Sequence, residues 1–275
     1  MSKYDALWDY IGKCGREKIV LTFAQIRQIA DIPVDHSFLR YKKELTKYGY
    51  EVGKISMKEQ KISFERMPKN DTLVLYIHGK GGNAAEAEHY KPLFPGCDVV
   101  GFDYKAETPW DAKEEFPAAF QALCASYSRI ILIANSIGAY FSMCALPREK
   151  IERAYFISPI ADMEKLICDM MHWANVSEAA LREKGTIKTN FGETLSWAYL
   201  HYVRDNPLSW NIPTAILYGD KDHLTSKETI TAFARAHHAE LTVMENGEHW
   251  FHTPEQMAFL DNWIINCESA ERKSV

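Results

Sequence analysis

The fold of this 275-residue chain is decided by the stretch Ile130-Ile131-Leu132-Ile133-Ala134-Asn135-Ser136-Ile137-Gly138-Ala139. Its first four residues are apolar without polar alternation, which is typical of a central parallel strand covered by helices on both faces. A helix is predicted to follow over residues 140–146. A tight turn between strand and helix strains its apex residue, so the positions two before and two after it need small side chains. Ala134 and Gly138 meet that need, and Ser136 is predicted to stand exposed at the carboxyl edge of a sheet.

A second apolar strand, over residues 72–77, breaks into His78-Gly79-Lys80-Gly81-Gly82-Asn83. Glycines allow the backbone to approach a ligand closely and to turn an N–H group toward it, which an oxyanion hole requires. An ordinary turn or a phosphate-binding loop is the alternative. The spacing of a P-loop, Gly-x-x-x-x-Gly-Lys-Ser/Thr, is not present.

Two further strands are predicted to end in loops that carry carboxylates and a histidine, the residue types that can activate a serine hydroxyl. Residues 215–219 lead into Asp220-Lys221-Asp222, and residues 241–244 lead into a loop that contains His249. The chain order is therefore serine, aspartate, histidine.

The four strand ends together resemble the α/β-hydrolase superfamily, whose motifs occur in this order. The resemblance covers about residues 70 to 268. It implies an α/β-hydrolase fold with a mostly parallel central sheet, helices on both faces and a small helical lid. Residue 134 is alanine, where the family more often has glycine.

The resemblance also implies a role for each motif residue. Ser136 would be the nucleophile, His249 the general base, and Asp222 the carboxylate that orients the imidazole. The oxyanion hole would consist of the backbone N–H groups of Lys80 and Ile137.

Two other carboxylates compete for the role of the acid. Asp220 lies next to Asp222, and Asp162 follows a strand after which some members of the superfamily carry this residue. The Gly-x-x-Asp spacing favours Asp222. His78 is expected to order its loop by hydrogen bonding rather than to act on the substrate.

The lid is predicted at about residues 161–211. It carries methionine and aromatic residues at helical spacing, and one helix is expected to include Leu195, Trp197 and Val203. Such residues usually form packing contacts. A lid also covers the active site, so the following residues are candidates for an apolar substrate pocket: Met170, Met171, Trp173 and Trp197.

Residues 1–67 are predicted to form a small helical, winged-helix-like extension, and residues 68–275 the hydrolase domain. Residues 1–70 contain 14 Lys and Arg against 9 Asp and Glu, whereas the remainder contains 18 against 28. Three helices precede a hairpin at residues 50–66, which would be either a wing or two strands of the hydrolase sheet.

The third of these helices carries Arg40, Lys42, Lys43 and Lys47, a pattern that could bind nucleic acid. Glu44 interrupts the basic residues, so a solvated helix face is the favoured interpretation and nucleic acid is not expected as a partner.

Composition agrees with a cytoplasmic enzyme. No apolar stretch reaches membrane-spanning length, and the first residues lack the apolar core of a signal peptide. The six cysteines are scattered without close pairs, as expected for free thiols in a reducing compartment. No two histidines show the spacing of a zinc site, so neither a metal nor a cofactor is implied. The oligomeric state is not fixed, and a homodimer is compatible with the sequence.

The sequence thus predicts a serine hydrolase that cleaves a small carboxylic ester, or a related acyl compound, through an acyl-enzyme. The partner would be a small-molecule substrate. The alternative is a small-molecule sensor or DNA-associated regulator built on a hydrolase fold.

Overall fold

The computed structural model describes residues 3–67 and 70–274. The chain divides into two compact units, Met1–Lys69 and Asn70–Val275. The predicted boundary falls between residue 67 and Pro68, and Pro68 and Lys69 lie outside the described residues.

The first unit is a small helical module with its own sheet and core. Its elements are α1 (Asp5–Cys14), β1 (Lys18–Thr22), α2 (Phe23–Ala30), α3 (Phe38–Tyr41), a 3₁₀ helix (Lys42–Tyr48), β2 (Tyr50–Ser56) and β3 (Lys61–Arg66). A capping box begins α2, because the Thr22 hydroxyl accepts from the Gln25 N–H and the Gln25 side chain accepts from the Thr22 N–H. The apolar sides of the helices meet around Trp8 and around Tyr4, whose ring packs edge-on against Phe38 at 5.2 Å.

The hairpin of the first unit belongs to a three-stranded antiparallel sheet with the order β1-β3-β2. The alternative that residues 50–66 are strands of the hydrolase sheet is therefore wrong. The strand β1 was not predicted; its first four residues alternate between exposed and buried positions, and Thr22 is half-buried. The comparison of this unit with a winged helix stays a prediction.

The second unit is built on a six-stranded sheet. Its strands are β4 (Thr72–Ile77), β5 (Asp98–Phe102), β6 (Arg129–Asn135), β7 (Arg153–Ile157), β10 (Thr214–Gly219) and β11 (Glu240–Met244), and a separate hairpin is formed by β8 (Thr186–Lys188) and β9 (Thr194–Ser196). Its helices are a 3₁₀ helix (Ala84–Leu93), α4 (Pro109–Cys124), α5 (Ile137–Ala145), α6 (Met163–Trp173), α7 (Glu178–Lys184), α8 (Trp197–Asp205), α9 (Lys227–Ala236) and α10 (Pro254–Ser274). The sheet order is β11-β10-β7-β6-β4-β5, and every adjacent pair is parallel.

The central strands are buried because helices cover both faces of the sheet. In β6, Leu132 points into a core that includes Phe116 of α4, whereas Ile131 points into a second core that includes Trp263 of α10. This explains the continuous apolar runs in the sequence. No helix in the described part of the chain is long and apolar enough to cross a membrane.

The predicted lid segment, residues 161–211, contains three helices and the β8–β9 hairpin. The hairpin was not predicted, and the expectation that Leu195 lies in a helix is wrong. Leu195 lies in β9, and α8 begins only after Ser196, whose hydroxyl accepts a hydrogen bond from the Tyr199 N–H. Three-residue strands carry too little periodicity to distinguish them from the helix that follows.

Candidate active site

Ser136 occupies the turn between β6 and α5. Its φ of 52° and ψ of −122° place a non-glycine residue in a strained region of backbone space. A Cβ atom added at Gly138 would lie only 2.3 Å from the carbonyl oxygen of His78, so this position needs glycine. The methyl group of Ala134 is accommodated in the buried strand.

The serine is connected to a histidine and a carboxylate by hydrogen bonds. Ser136 Oγ lies 2.8 Å from Nε2 of His249, and Nδ1 of His249 lies 2.7 Å from Oδ2 of Asp222. The Asp222 side chain is fully buried, whereas that of His249 keeps 19% exposure. The structure thus brings together the three residues that the sequence assigned to one site.

Asp222 is held in place by its second oxygen. Oδ1 accepts hydrogen bonds from the N–H groups of Leu224 at 2.7 Å and Thr225 at 3.1 Å. Two backbone donors satisfy this oxygen of the buried carboxylate and fix the orientation of the side chain. They also leave Oδ2 free to accept the Nδ1 proton of His249 and thereby to fix the tautomer of the ring.

The loops that carry Asp222 and His249 pack closely against each other at two glycines, Gly219 and Gly247. A Cβ atom added at Gly219 would lie 2.3 Å from the carbonyl oxygen of Gly247, and that oxygen accepts from the Lys221 N–H at 2.8 Å. These close backbone contacts set the distance between the acid loop and the histidine loop.

The two competing carboxylates have other partners. Asp220 accepts a hydrogen bond from the Asn246 N–H at 2.7 Å, which supports the histidine loop. Asp162 caps α6 by accepting from the Lys165 N–H at 2.8 Å.

The two predicted oxyanion donors belong to backbone segments near the serine. Residues 79–82 form a turn closed by a hydrogen bond from the Gly82 N–H to the Gly79 carbonyl, and the Lys80 N–H does not take part in that bond. Gly79 packs against the serine, since a Cβ added there would lie 3.2 Å from Cβ of Ser136. Ile137 is the first residue of α5, and its N–H therefore has no acceptor within the helix.

His78 orders the loop that carries Lys80. Its Nδ1 lies 2.8 Å from the Gly79 carbonyl oxygen, and its ring stacks on Tyr104 at 4.3 Å. The Tyr104 hydroxyl donates to the His78 carbonyl at 2.9 Å. Burial raises the pKa of Tyr104, so this hydroxyl stays protonated and keeps its role as a donor.

The four lid candidates differ in their surroundings. Met171 is buried, Met170 and Trp197 are half-buried against the core of the second unit, and Trp173 is 49% exposed. Trp173 packs edge-on against Phe191, which is also exposed, with ring centroids 6.2 Å apart.

The predicted lid segment contacts the predicted oxyanion loop through a pair of residues that sequence reasoning missed. Lys80 Nζ lies 2.5 Å from Oε2 of Glu193, which precedes β9. Nothing in the sequence connects two residues separated by 113 positions. The ion pair places the β8–β9 hairpin beside the loop that adjoins Ser136.

Within residues 3–67 and 70–270, no cluster of three or more His, Cys, Asp or Glu side chains is arranged to hold a metal ion. The reactive groups of the site are the Ser136 hydroxyl, the His249 imidazole, the Asp222 carboxylate and the nearby backbone N–H groups. This set can transfer a proton from the hydroxyl and stabilise an oxyanion.

Comparisons with known proteins agree with this architecture. No family model matches the chain. A protein of Mycoplasma genitalium that carries the provisional name esterase/lipase 3 is 25% identical over 126 residues, or 45% of this chain. The match spans 43% of that relative, less than half of its length.

Solved structures match over a larger share of the chain. Est1E from Butyrivibrio proteoclasticus has a TM-score of 0.60 at 16% identity, covering 82% of this chain and 99% of that one. Mouse alpha/beta hydrolase domain-containing protein 10 has a TM-score of 0.55 at 15% identity, covering 82% and 94%. At such identities the likeness concerns the fold.

Proposed function

We propose that this chain, which has the α/β-hydrolase fold, is a serine hydrolase that cleaves a small carboxylic ester or a related acyl compound. The observation that carries the proposal is the continuous hydrogen-bonded path from Ser136 through His249 to Asp222. A sensor that only binds a ligand has no need of this path. We therefore favour an enzyme over a sensor or regulator that has no catalytic activity.

The first half of the reaction acylates the serine. Ser136 Oγ attacks the carbonyl carbon of the ester while Nε2 of His249 takes the hydroxyl proton. Negative charge develops on the carbonyl oxygen, toward which the N–H groups of Lys80 and Ile137 would point. The tetrahedral intermediate then collapses, and His249 returns the proton to the departing alcohol.

The second half regenerates the enzyme. A water molecule gives a proton to Nε2 of His249 and attacks the acyl-enzyme, and the carboxylic acid leaves when the proton returns to Oγ of Ser136. Throughout the cycle the buried carboxylate of Asp222 stabilises the imidazolium form of the histidine. Two backbone donors keep Asp222 in place, so this stabilisation requires no rearrangement.

The lid supports a preference for apolar or aromatic acyl groups. Trp173 and Phe191 present exposed rings on the lid, and Phe191 lies two positions before Glu193, the ion-pair partner of Lys80. A solved structure of Est1E contains bound ferulic acid, an aromatic acid. Flat exposed rings on a segment that contacts the oxyanion loop through Glu193 would suit a ligand of this kind.

A panel of p-nitrophenyl esters tests the proposal. We expect turnover of acetate, butyrate, hexanoate and an aromatic ester, with each methylene that fits improving kcat/KM by about fourfold, or about 0.8 kcal/mol. Trp173→Ala should raise KM for the aromatic ester, whereas Tyr10→Ala, at an exposed aromatic residue of the first unit, should not. Saturable binding of these esters without any turnover would favour the sensor.

A further inference from the structure

Positive charge in the first unit is concentrated in one part of its sequence. Residues 40–61 contain seven Lys and Arg against three Asp and Glu, whereas residues 3–39 contain five of each. The whole chain carries a formal net charge of −5, so the basic segment is not a consequence of a basic composition. Such an asymmetry is typical of proteins that bind polyanions.

The helical part of this segment has an inner and an outer side. Phe38 and Leu45 are buried in the core of the unit. Glu44 is half-buried, and its carboxylate accepts a hydrogen bond from the indole N–H of Trp8 at 3.4 Å. This contact turns the Glu44 carboxylate toward Trp8 of the core. The outward residues between 39 and 47 are exposed: Leu39, Arg40, Lys42, Lys43, Thr46 and Lys47.

The hairpin adds three exposed lysines, Lys54, Lys58 and Lys61, beside two exposed glutamates, Glu51 and Glu59. None of the seven cations between residues 40 and 61 forms an ion pair within the described part of the first unit. By contrast, Lys3, Lys13, Lys18 and Arg66 pair with carboxylates at 2.7 to 3.6 Å. The unit thus neutralises most of its other cations and leaves this set available to an external anion.

We infer that the first unit binds double-stranded DNA, with the outer side of residues 39–47 against the major groove and the β2–β3 hairpin against the flanking phosphates. This part of the chain is the short helix α3 followed directly by a 3₁₀ helix. The major groove of B-form DNA admits a helical segment, whereas the deep groove of an RNA duplex excludes side chains. Exposed apolar residues in this region are confined to Leu39 and Met57. Two such residues are too few for the continuous apolar face of a membrane-binding helix.

Fluorescence anisotropy of a labelled 30-base-pair duplex of mixed sequence, titrated with the full chain, tests this inference. We expect binding at 50 mM salt with a slope of log K against log salt of about −4 to −5, as for about five phosphate contacts. Affinity should then fall by about 500-fold between 50 and 200 mM salt. The triple variant Arg40→Gln, Lys43→Gln, Lys47→Gln should lower the magnitude of the slope by about three.

The matched control is Lys3→Gln, Lys13→Gln, Lys18→Gln, which changes the net charge equally but removes lysines that are already paired. We expect it to keep the slope and, within about twofold, the affinity. Thermal unfolding of both variants verifies that they fold. The inference is overturned if the wild-type chain does not bind DNA at 50 mM salt, if the control loses as much affinity as the test variant, or if single-stranded RNA or anionic vesicles bind more tightly than the duplex.

Discussion

Replacing Asp222 by asparagine should abolish the proposed ester hydrolysis through the tautomer of His249. Asp222 Oδ1 accepts hydrogen bonds from two backbone N–H groups, so the amide oxygen of an asparagine would occupy that position. Its NH₂ group would then occupy the Oδ2 position, 2.7 Å from Nδ1 of His249. An amide donor at that place requires an unprotonated Nδ1, and the ring proton moves to Nε2.

A ring with its proton on Nε2 cannot accept the proton of Ser136. We expect kcat to fall by about 10⁴-fold, which corresponds to about 5.4 kcal/mol of lost transition-state stabilisation. The assay is steady-state hydrolysis of p-nitrophenyl butyrate, together with thermal unfolding to verify the fold. Removal of the carboxylate should affect turnover far more than stability, because the asparagine oxygen keeps both backbone hydrogen bonds.

The matched controls are the same substitution at the two competing carboxylates. Asp220→Asn and Asp162→Asn should each lower kcat by less than about tenfold, because an asparagine oxygen still accepts from the Asn246 or Lys165 N–H. A larger loss at Asp162 than at Asp222 would refute the assignment of the acid. So would an Asp222→Asn variant that keeps more than about a tenth of the wild-type turnover.

Two further predictions concern the packing of the second unit. Gly138→Ala should lower kcat and reduce stability by about 1 to 3 kcal/mol, because its methyl group would displace the His78 carbonyl; an unchanged Tm and kcat would contradict the contact. Burial raises the pKa of the Cys124 thiol to about 12 and that of Cys144 to about 11. At pH 8 about one such thiol in a thousand or fewer is ionised, so iodoacetamide should alkylate both slowly in the folded protein and rapidly after unfolding, as measured by mass spectrometry.

The fold could be predicted from the sequence because its signals are local. The strand before Ser136 is buried on both faces. A strand of this kind requires apolar side chains at every position, which is why the run from Ile130 to Ile133 could be read as a central strand. Residue 138 is glycine because the backbone carbonyl of His78 leaves no room for a side chain there. Ser136, in the same tight turn, has a positive φ. The predicted α/β-hydrolase fold is confirmed by the parallel six-stranded sheet and its structural neighbours.

Contacts between distant parts of the chain could not be predicted. The spacing of Gly219 and Asp222 favoured one acid, but the partners of Asp162 and Asp220 became visible only in three dimensions. The β8–β9 hairpin was missed because its strands have three residues each. The Lys80–Glu193 pair and the inward orientation of Glu44 depend on tertiary packing, which no periodicity within one segment encodes.

The central claim is that Ser136 is the nucleophile, and covalent labelling by a fluorophosphonate tests it most directly. We expect the wild-type protein to gain one phosphonate adduct, located on Ser136 by peptide mass spectrometry, with loss of ester hydrolysis in step with labelling. The Ser136→Ala variant should neither label nor hydrolyse p-nitrophenyl butyrate while it unfolds at a temperature close to that of the wild type. A phosphonate on any other residue, or ester hydrolysis by Ser136→Ala at a rate near the wild type, would contradict the account.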